Sequence, residues 1–117
     1  MQENLYIKQI VERLKQVNPY KIILFGSYAY GLPQNNSDID ILVVTSDDFM
    51  PENYEEKMQI TLNISRMISD IKAEYPVDLI VHTLPMHRKF IELGSMFAKE
   101  IQTNGKVIYE ADHSRVD

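Results

Sequence analysis

Two short apolar runs lie so close together in the sequence that they constrain the fold around them. Lys21-Ile22-Ile23-Leu24-Phe25 stops at Gly26, and Ile39, Ile41, Leu42, Val43 and Val44 follow after about a dozen residues. Both runs are rich in β-branched or bulky residues and bounded by turn residues, so both predict strands. A parallel pair needs a crossover of a dozen or more residues that usually carries a full helix, so this short connection predicts an antiparallel pair.

The rest of the chain is patterned around that pair. Leu5, Ile7, Ile10, Val11, Leu14 and Val17 recur at helical spacing and predict a helix over 3–17, ended before Asn18-Pro19. Pro51 opens a segment whose Tyr54, Met58, Leu62, Ile64, Met67, Ile68, Ile71 and Tyr75 predict one long helix. Val77-Asp78-Leu79-Ile80-Val81 reads as a third strand. Phe90, Ile91, Leu93, Met96, Phe97 and Ile101 predict another helix, closed by Asn104-Gly105. Lys106–Tyr109 reads as a last edge strand. The expected architecture is α+β, a mixed β-sheet covered on one side by helices. One domain should span 1–109, with a polar tail over 110–117.

Composition narrows the function classes. Lys plus Arg total 12 and Asp plus Glu 17, a net charge of −5, which argues against binding long nucleic acid through phosphate contacts. The absence of cysteine excludes disulfides, thiolate metal sites and cysteine nucleophiles. No apolar stretch approaches the ~18 residues of a membrane span, and Met1-Gln2-Glu3-Asn4 lacks the basic start of a signal peptide. A soluble, cytoplasmic protein is expected.

The chemistry is concentrated between the first two strands. Side chains alternate along a strand, so Asp38 and Asp40 share a face, with Cα atoms roughly 6.6 Å apart. Asp78 begins another apolar strand, and if the two strands are neighbours three carboxylates converge. Two unit charges at ~4 Å repel by about 4 kcal/mol at an effective dielectric of ~20, so such a cluster calls for a cation. All-oxygen ligands suit Mg²⁺ or Mn²⁺ shared with substrate phosphates. Gly26 lets a phosphate approach the backbone, and Ser27 can cap a short helix or donate its hydroxyl. Gly26 and Gly31 have the spacing of a Walker A loop, but Leu32-Pro33 occupy its Lys-Ser/Thr positions. Each part alone has a plain reading as a turn, a cap or a solvated acid; in combination and on these elements they are specific.

Gly26-Ser27, ten intervening residues and then Asp38-Ile39-Asp40, with Asp78 further on, resemble the nucleotidyltransferase superfamily that includes DNA polymerase β. More narrowly, the chain is similar to the minimal nucleotidyltransferases of bacteria and archaea, over nearly its whole length. The resemblance implies a polymerase β-like fold, with Asp38, Asp40 and Asp78 as catalytic metal ligands. It also implies that Gly26 and Ser27 hold the triphosphate of a nucleotide, ATP by expectation. An acceptor hydroxyl would attack the α-phosphorus and release pyrophosphate, with Asp78 placed to help take its proton. Tyr30 departs from the family's frequent arginine in a Gly-Ser-x-Ala-Arg-Gly pattern.

A chain of 117 residues has no room for a separate acceptor domain, so a second subunit or another molecule must complete the site. The resemblance implies a small helical partner of the HEPN class, with this chain as the antitoxin that adenylylates a tyrosine of the toxin. Two alternatives stand beside it. One is an antitoxin that neutralises by binding alone, which Tyr30 favours. The other is an adenylyltransferase for small molecules of the aminoglycoside type, which an acidic surface suits. His82, His87 and His113 read as solvated or locally hydrogen-bonded, and Arg88 and Lys89 as a solvated helix start. Ile60, Ile64, Met67 and Ile71 widen the apolar face of the long helix and suit an interface.

Overall fold

A computed structural model describes residues 4–31 and 37–111. Leu32-Pro33, His113 and the tail beyond Ala111 lie outside the described residues. Helix α1 (Leu5–Leu14) starts where the Asn4 side chain accepts from the Tyr6 and Ile7 amides, and a 3-10 turn (Lys15–Val17) continues it. Strands β1 (Lys21–Phe25) and β2 (Ile39–Val44) pair antiparallel, Lys21 opposite Val44 and Phe25 opposite Asp40, as the short connection required. Helices α2 (Tyr54–Met67) and α3 (Ser69–Glu74) lead to β3 (Val77–His82), which pairs parallel with β2. Helices α4 (Leu84–Leu93) and α5 (Met96–Asn104) precede β4 (Lys106–Glu110), which pairs antiparallel with β1. The mixed sheet has the order β3-β2-β1-β4.

The α+β class holds, but the helices cover both faces of the sheet rather than one. Ile22, Leu24, Ile39, Ile41 and Val43 pack against Ile10 and Leu14 of α1 and against Ile64, Ile68 and Ile71. On the other face Ile23, Leu42 and Val44 meet Ile101, with Leu84 and Phe90 packed against them. The unbroken run from Ile41 to Val44 carried that signal, because a strand buried on both faces loses its alternation.

The expected long helix breaks at Ile68, which is fully buried and has φ −120°. The break frees the Met67 carbonyl, which accepts from Arg13 Nη1 at 2.9 Å, and the same guanidinium grips Asp70 at 2.8 and 3.1 Å. A helix end is thus satisfied by a side chain from α1, a tertiary partner that helical periodicity does not report. Ile60, Ile64, Met67 and Ile71 belong to the core, so the interface read from them is corrected. The outward apolar residues of α2 are Tyr54, Met58 and Leu62. The second expected helix divides at Gly94, held at φ +59°, into α4 and α5. None of the helices among the described residues is long and apolar enough to cross a membrane.

His82 is buried rather than solvated. It lies 9% exposed at the end of β3, its Nδ1 3.1 Å from Nδ1 of His87, with both rings against Phe90. Burial and then the neighbouring His87 lower its pKa to about 4. The unfolded chain therefore binds the extra proton between pH ~6.5 and about 4, and this contribution to stability is lost as pH falls through that window. The His82 contribution to urea unfolding should weaken by on the order of 2 kcal/mol across it, while the raised Asp40 pKa acts in the opposite sense over much of the same range, so the difference between wild type and variant carries the test. A His82→Gln protein should show a shallower decline, and an unchanged slope would assign the loss to other groups.

Candidate active site

The site is built where β1 ends and β2 and β3 begin. Asp40 stands directly opposite Asp78 in the parallel register of β2 and β3, and opposite Phe25 in the antiparallel register of β1 and β2. Alternation puts these three residues on the sheet face that carries Leu42 and Val44, the face covered by α4 and α5. Neighbouring strands lie roughly 4.8 Å apart, so the two carboxylates are within reach of each other.

Their coupling is visible in the protonation of Asp40. Its pKa is raised to about 6, first by burial, then by a hydrogen bond with Asp78 and the charges of Asp78 and Asp38. One proton shared across the pair relieves the like-charge repulsion. Asp38, exposed and just before β2, is close enough to add to that effect. The structure thus brings all three sequence-predicted acids into one neighbourhood.

Gly26 closes β1 with φ +71°. A Cβ there would lie 2.0 Å from Asp40 Oδ2, so the position must lack a side chain for Asp40 to occupy its place. Ser27 follows in a single turn rather than a longer helix: the Ala29 and Tyr30 amides donate to the Gly26 carbonyl at 3.0 and 3.1 Å. Tyr30 is partly exposed and hydrogen-bonds Glu100 of α5, and burial raises its pKa ahead of the Glu100 charge.

Sequence reasoning missed the residue that ties these segments together. Tyr75, one position before Pro76 and β3, hydrogen-bonds the Tyr28 hydroxyl and donates to the Ser37 carbonyl at 3.0 Å. Tyr28 follows Gly26-Ser27, Ser37 precedes Asp38, and Tyr75 sits three residues before Asp78. In the sequence Tyr75 is only the last apolar position of a helix, and nothing there marks its hydroxyl.

The donor set suits a hard divalent cation, since it consists of carboxylate oxygens, and the charges acting on Asp40 are those of Asp78 and Asp38. Among the described residues, no group of three or more His, Asp or Glu side chains forms a ready cation cage. A cation shared with substrate phosphates needs only one or two carboxylates from the protein.

The family described as "Polymerase beta, Nucleotidyltransferase" matches residues 7–114. The chain belongs to that family. The fold recurs in solved structures: a "putative nucleotidyltransferase from Sulfolobus solfataricus" aligns with TM-score 0.52 at 18% identity, covering 98% of this chain and 96% of the other. A crystal structure of a toxin-antitoxin with AMP-PNP aligns with TM-score 0.53 at 23% identity, covering 90% of this chain and 73% of that one. A variant of the toxin-antitoxin MntA-HpeT, in which two aspartates two positions apart are replaced by glutamate, aligns with TM-score 0.52 at 21% identity, covering 90% and 73%. At these identities the likeness establishes the fold. No curated protein matches the sequence.

The glycine argument is testable through two substitutions. Gly26→Ala combines a left-handed backbone with the Asp40 clash and should cost about 2–3 kcal/mol in urea unfolding. Gly31→Ala has φ +77° but no atom of the described residues within 4 Å of the new Cβ, and should cost about 1 kcal/mol. The Asp40 carboxyl signal in ¹³C NMR should move in the first variant and stay in the second.

Proposed function

We propose that the chain transfers AMP from ATP to a hydroxyl acceptor, a tyrosine of a small helical HEPN-type toxin, and so acts as the antitoxin. The observation that carries this reading is the facing pair Asp40 and Asp78, set against the side-chain-free Gly26 turn. The family match supports nucleotidyl transfer, and the toxin-antitoxin relatives support the biological setting.

In this reading Asp38, Asp40 and Asp78 would hold Mg²⁺ or Mn²⁺, and Gly26 and Ser27 would hold the triphosphate. A bound divalent cation would neutralise phosphate charge and acidify the attacking hydroxyl. The acceptor oxygen forms a bond to the α-phosphorus while the bond to the pyrophosphate oxygen breaks. Asp78, the exposed partner of the pair, takes the hydroxyl proton, and Asp40, partly buried beside Gly26, orients the charge. Pyrophosphate leaves, and the nucleotidyl group stays on the acceptor.

Transfer of α-labelled ATP to a co-purified toxin, with Mg²⁺ present, tests the proposal. Asp40→Asn and Asp78→Asn should each lower it by about a hundredfold or more while remaining folded. Undiminished transfer by both variants sinks it. A second reading rests on Tyr30, which places a neutral phenol bonded to Glu100 where the family often has arginine. In that reading the chain neutralises its partner by binding, and Asp40→Asn would protect cells from the toxin as well as the wild type does.

A further inference from the structure

A cavity of about 610 Å³ lies between the sheet and the α4–α5 pair, away from the acidic site. Its strand-side wall includes Lys21 and Ile23, near the start of β1, whereas Phe25 and Asp40 lie at that strand's far end. Four residue steps along the strand separate Lys21 from Phe25, roughly 13 Å. The volume falls within the ~300–1,000 Å³ usual for small-molecule sites. Gly105 keeps α5 close to the sheet: a Cβ there would lie 2.4 Å from the Ile101 carbonyl oxygen and 3.0 Å from Ile23 Cγ2.

The lining has two characters. Ile23, Leu84, Ile91, Ile101 and Val107 form an apolar body. Lys21, Arg88 and His87 bring nitrogen donors to it, against the single acid Glu92 in the wall. Lys21 Nζ reaches Glu110 only at 3.7 Å, and Arg88 reaches Asp48 only at 3.5 Å. Charge-assisted hydrogen bonds close to roughly 2.7–2.9 Å, so neither pair is tight and both cations keep donors for another acceptor. His87 Nδ1 is engaged by His82, which leaves its Nε2 as the remaining ring nitrogen.

We infer that this cavity binds a small organic anion with an apolar body, a carboxylate on an aromatic or aliphatic frame. The apolar wall takes the body, and Lys21 and Arg88 take the charge. An organic cation would find Glu92 as its one acid in the wall, with Lys21 and Arg88 only partly offset by Glu110 and Asp48, and inorganic phosphate would leave the apolar wall unfilled. This site is independent of nucleotidyl transfer.

The test is a ¹⁵N-NMR titration of the intact protein with naphthylacetate, naphthylethylamine and inorganic phosphate. Naphthylacetate should saturate one site, with the largest shifts at Ile23, Ile91, Ile101, Gly105 and Val107. The amine should bind at least about fivefold more weakly, and phosphate should leave these signals in place. A Lys21→Met, Arg88→Met protein with an otherwise unchanged spectrum should lose the preference for the acid, since Glu92, Glu110 and Asp48 remain. Absence of saturable binding overturns the inference. So do equal affinities of acid and amine for the wild type, or shifts centred on the exposed Leu93 and Met96.

Discussion

The parallel pairing of β2 with β3 is the constraint on which the rest of the structure depends. It sets Asp40 beside Asp78, an arrangement that repels by about 1–4 kcal/mol when both are charged near a protein surface. A slip of one residue would separate them, but it would also exchange the two faces of β2. Ile39, Ile41, Leu42, Val43 and Val44 are buried there almost completely, together contributing about 10 kcal/mol. The apolar register therefore outweighs the carboxylate repulsion and holds the acids together. Asp40 responds by keeping its proton to about pH 6 rather than by moving away.

A second device fixes the loop that carries the glycine. Tyr28 and Ser37 stand at opposite ends of the connection between β1 and β2, and both bond the Tyr75 hydroxyl. The Pro76 carbonyl accepts from the Ile39 amide at 3.0 Å, so the same junction also anchors the start of β2. The hydrogen bond with Tyr28, and then burial, push the Tyr75 pKa up to about 12. The phenol stays protonated across the physiological range, and the tie does not loosen with pH as a histidine tie would. Tyr6 closes the cluster, its ring centroid 5.2 Å from that of Tyr75.

The features legible in the sequence were those set by local pattern. The antiparallel β1–β2 pair followed from a connection too short for a helix, and the shared face of Asp38 and Asp40 followed from strand periodicity, while the approach of Asp78 depended on β3 lying beside β2. What escaped depended on how elements fold against one another. Ile68 breaks a helix without Gly or Pro because Arg13, far away in α1, satisfies the Met67 carbonyl. His82 is buried because α4 folds back to set His87 and Phe90 against it. Gly94 was visible as a glycine, but an apolar pattern running through it masked its role as a left-handed helix end. The two-sided cover of the sheet was written in the unalternating run of β2, which also fits a strand buried on one face at a glance.

Tyr30 shows how the acidic site and the helical cover are connected. Its amide closes the turn on Gly26, and its hydroxyl bonds Glu100, so the Gly26 turn is tied to α5. Phe97, on the same helix, sets its ring edge-on to Phe25 at 5.6 Å, and Phe25 is the cross-strand neighbour of Asp40. Helix α5 therefore touches the site twice, through a polar contact to the loop and an aromatic contact to the strand. An arginine in place of Tyr30 would present a fixed positive charge to a triphosphate; the phenol offers only a neutral dipole, already directed at Glu100. In the proposed reaction the charge of the phosphates thus falls to the cation held by the aspartates. Nucleotide affinity in this chain should accordingly depend on divalent metal more steeply than where the arginine is present.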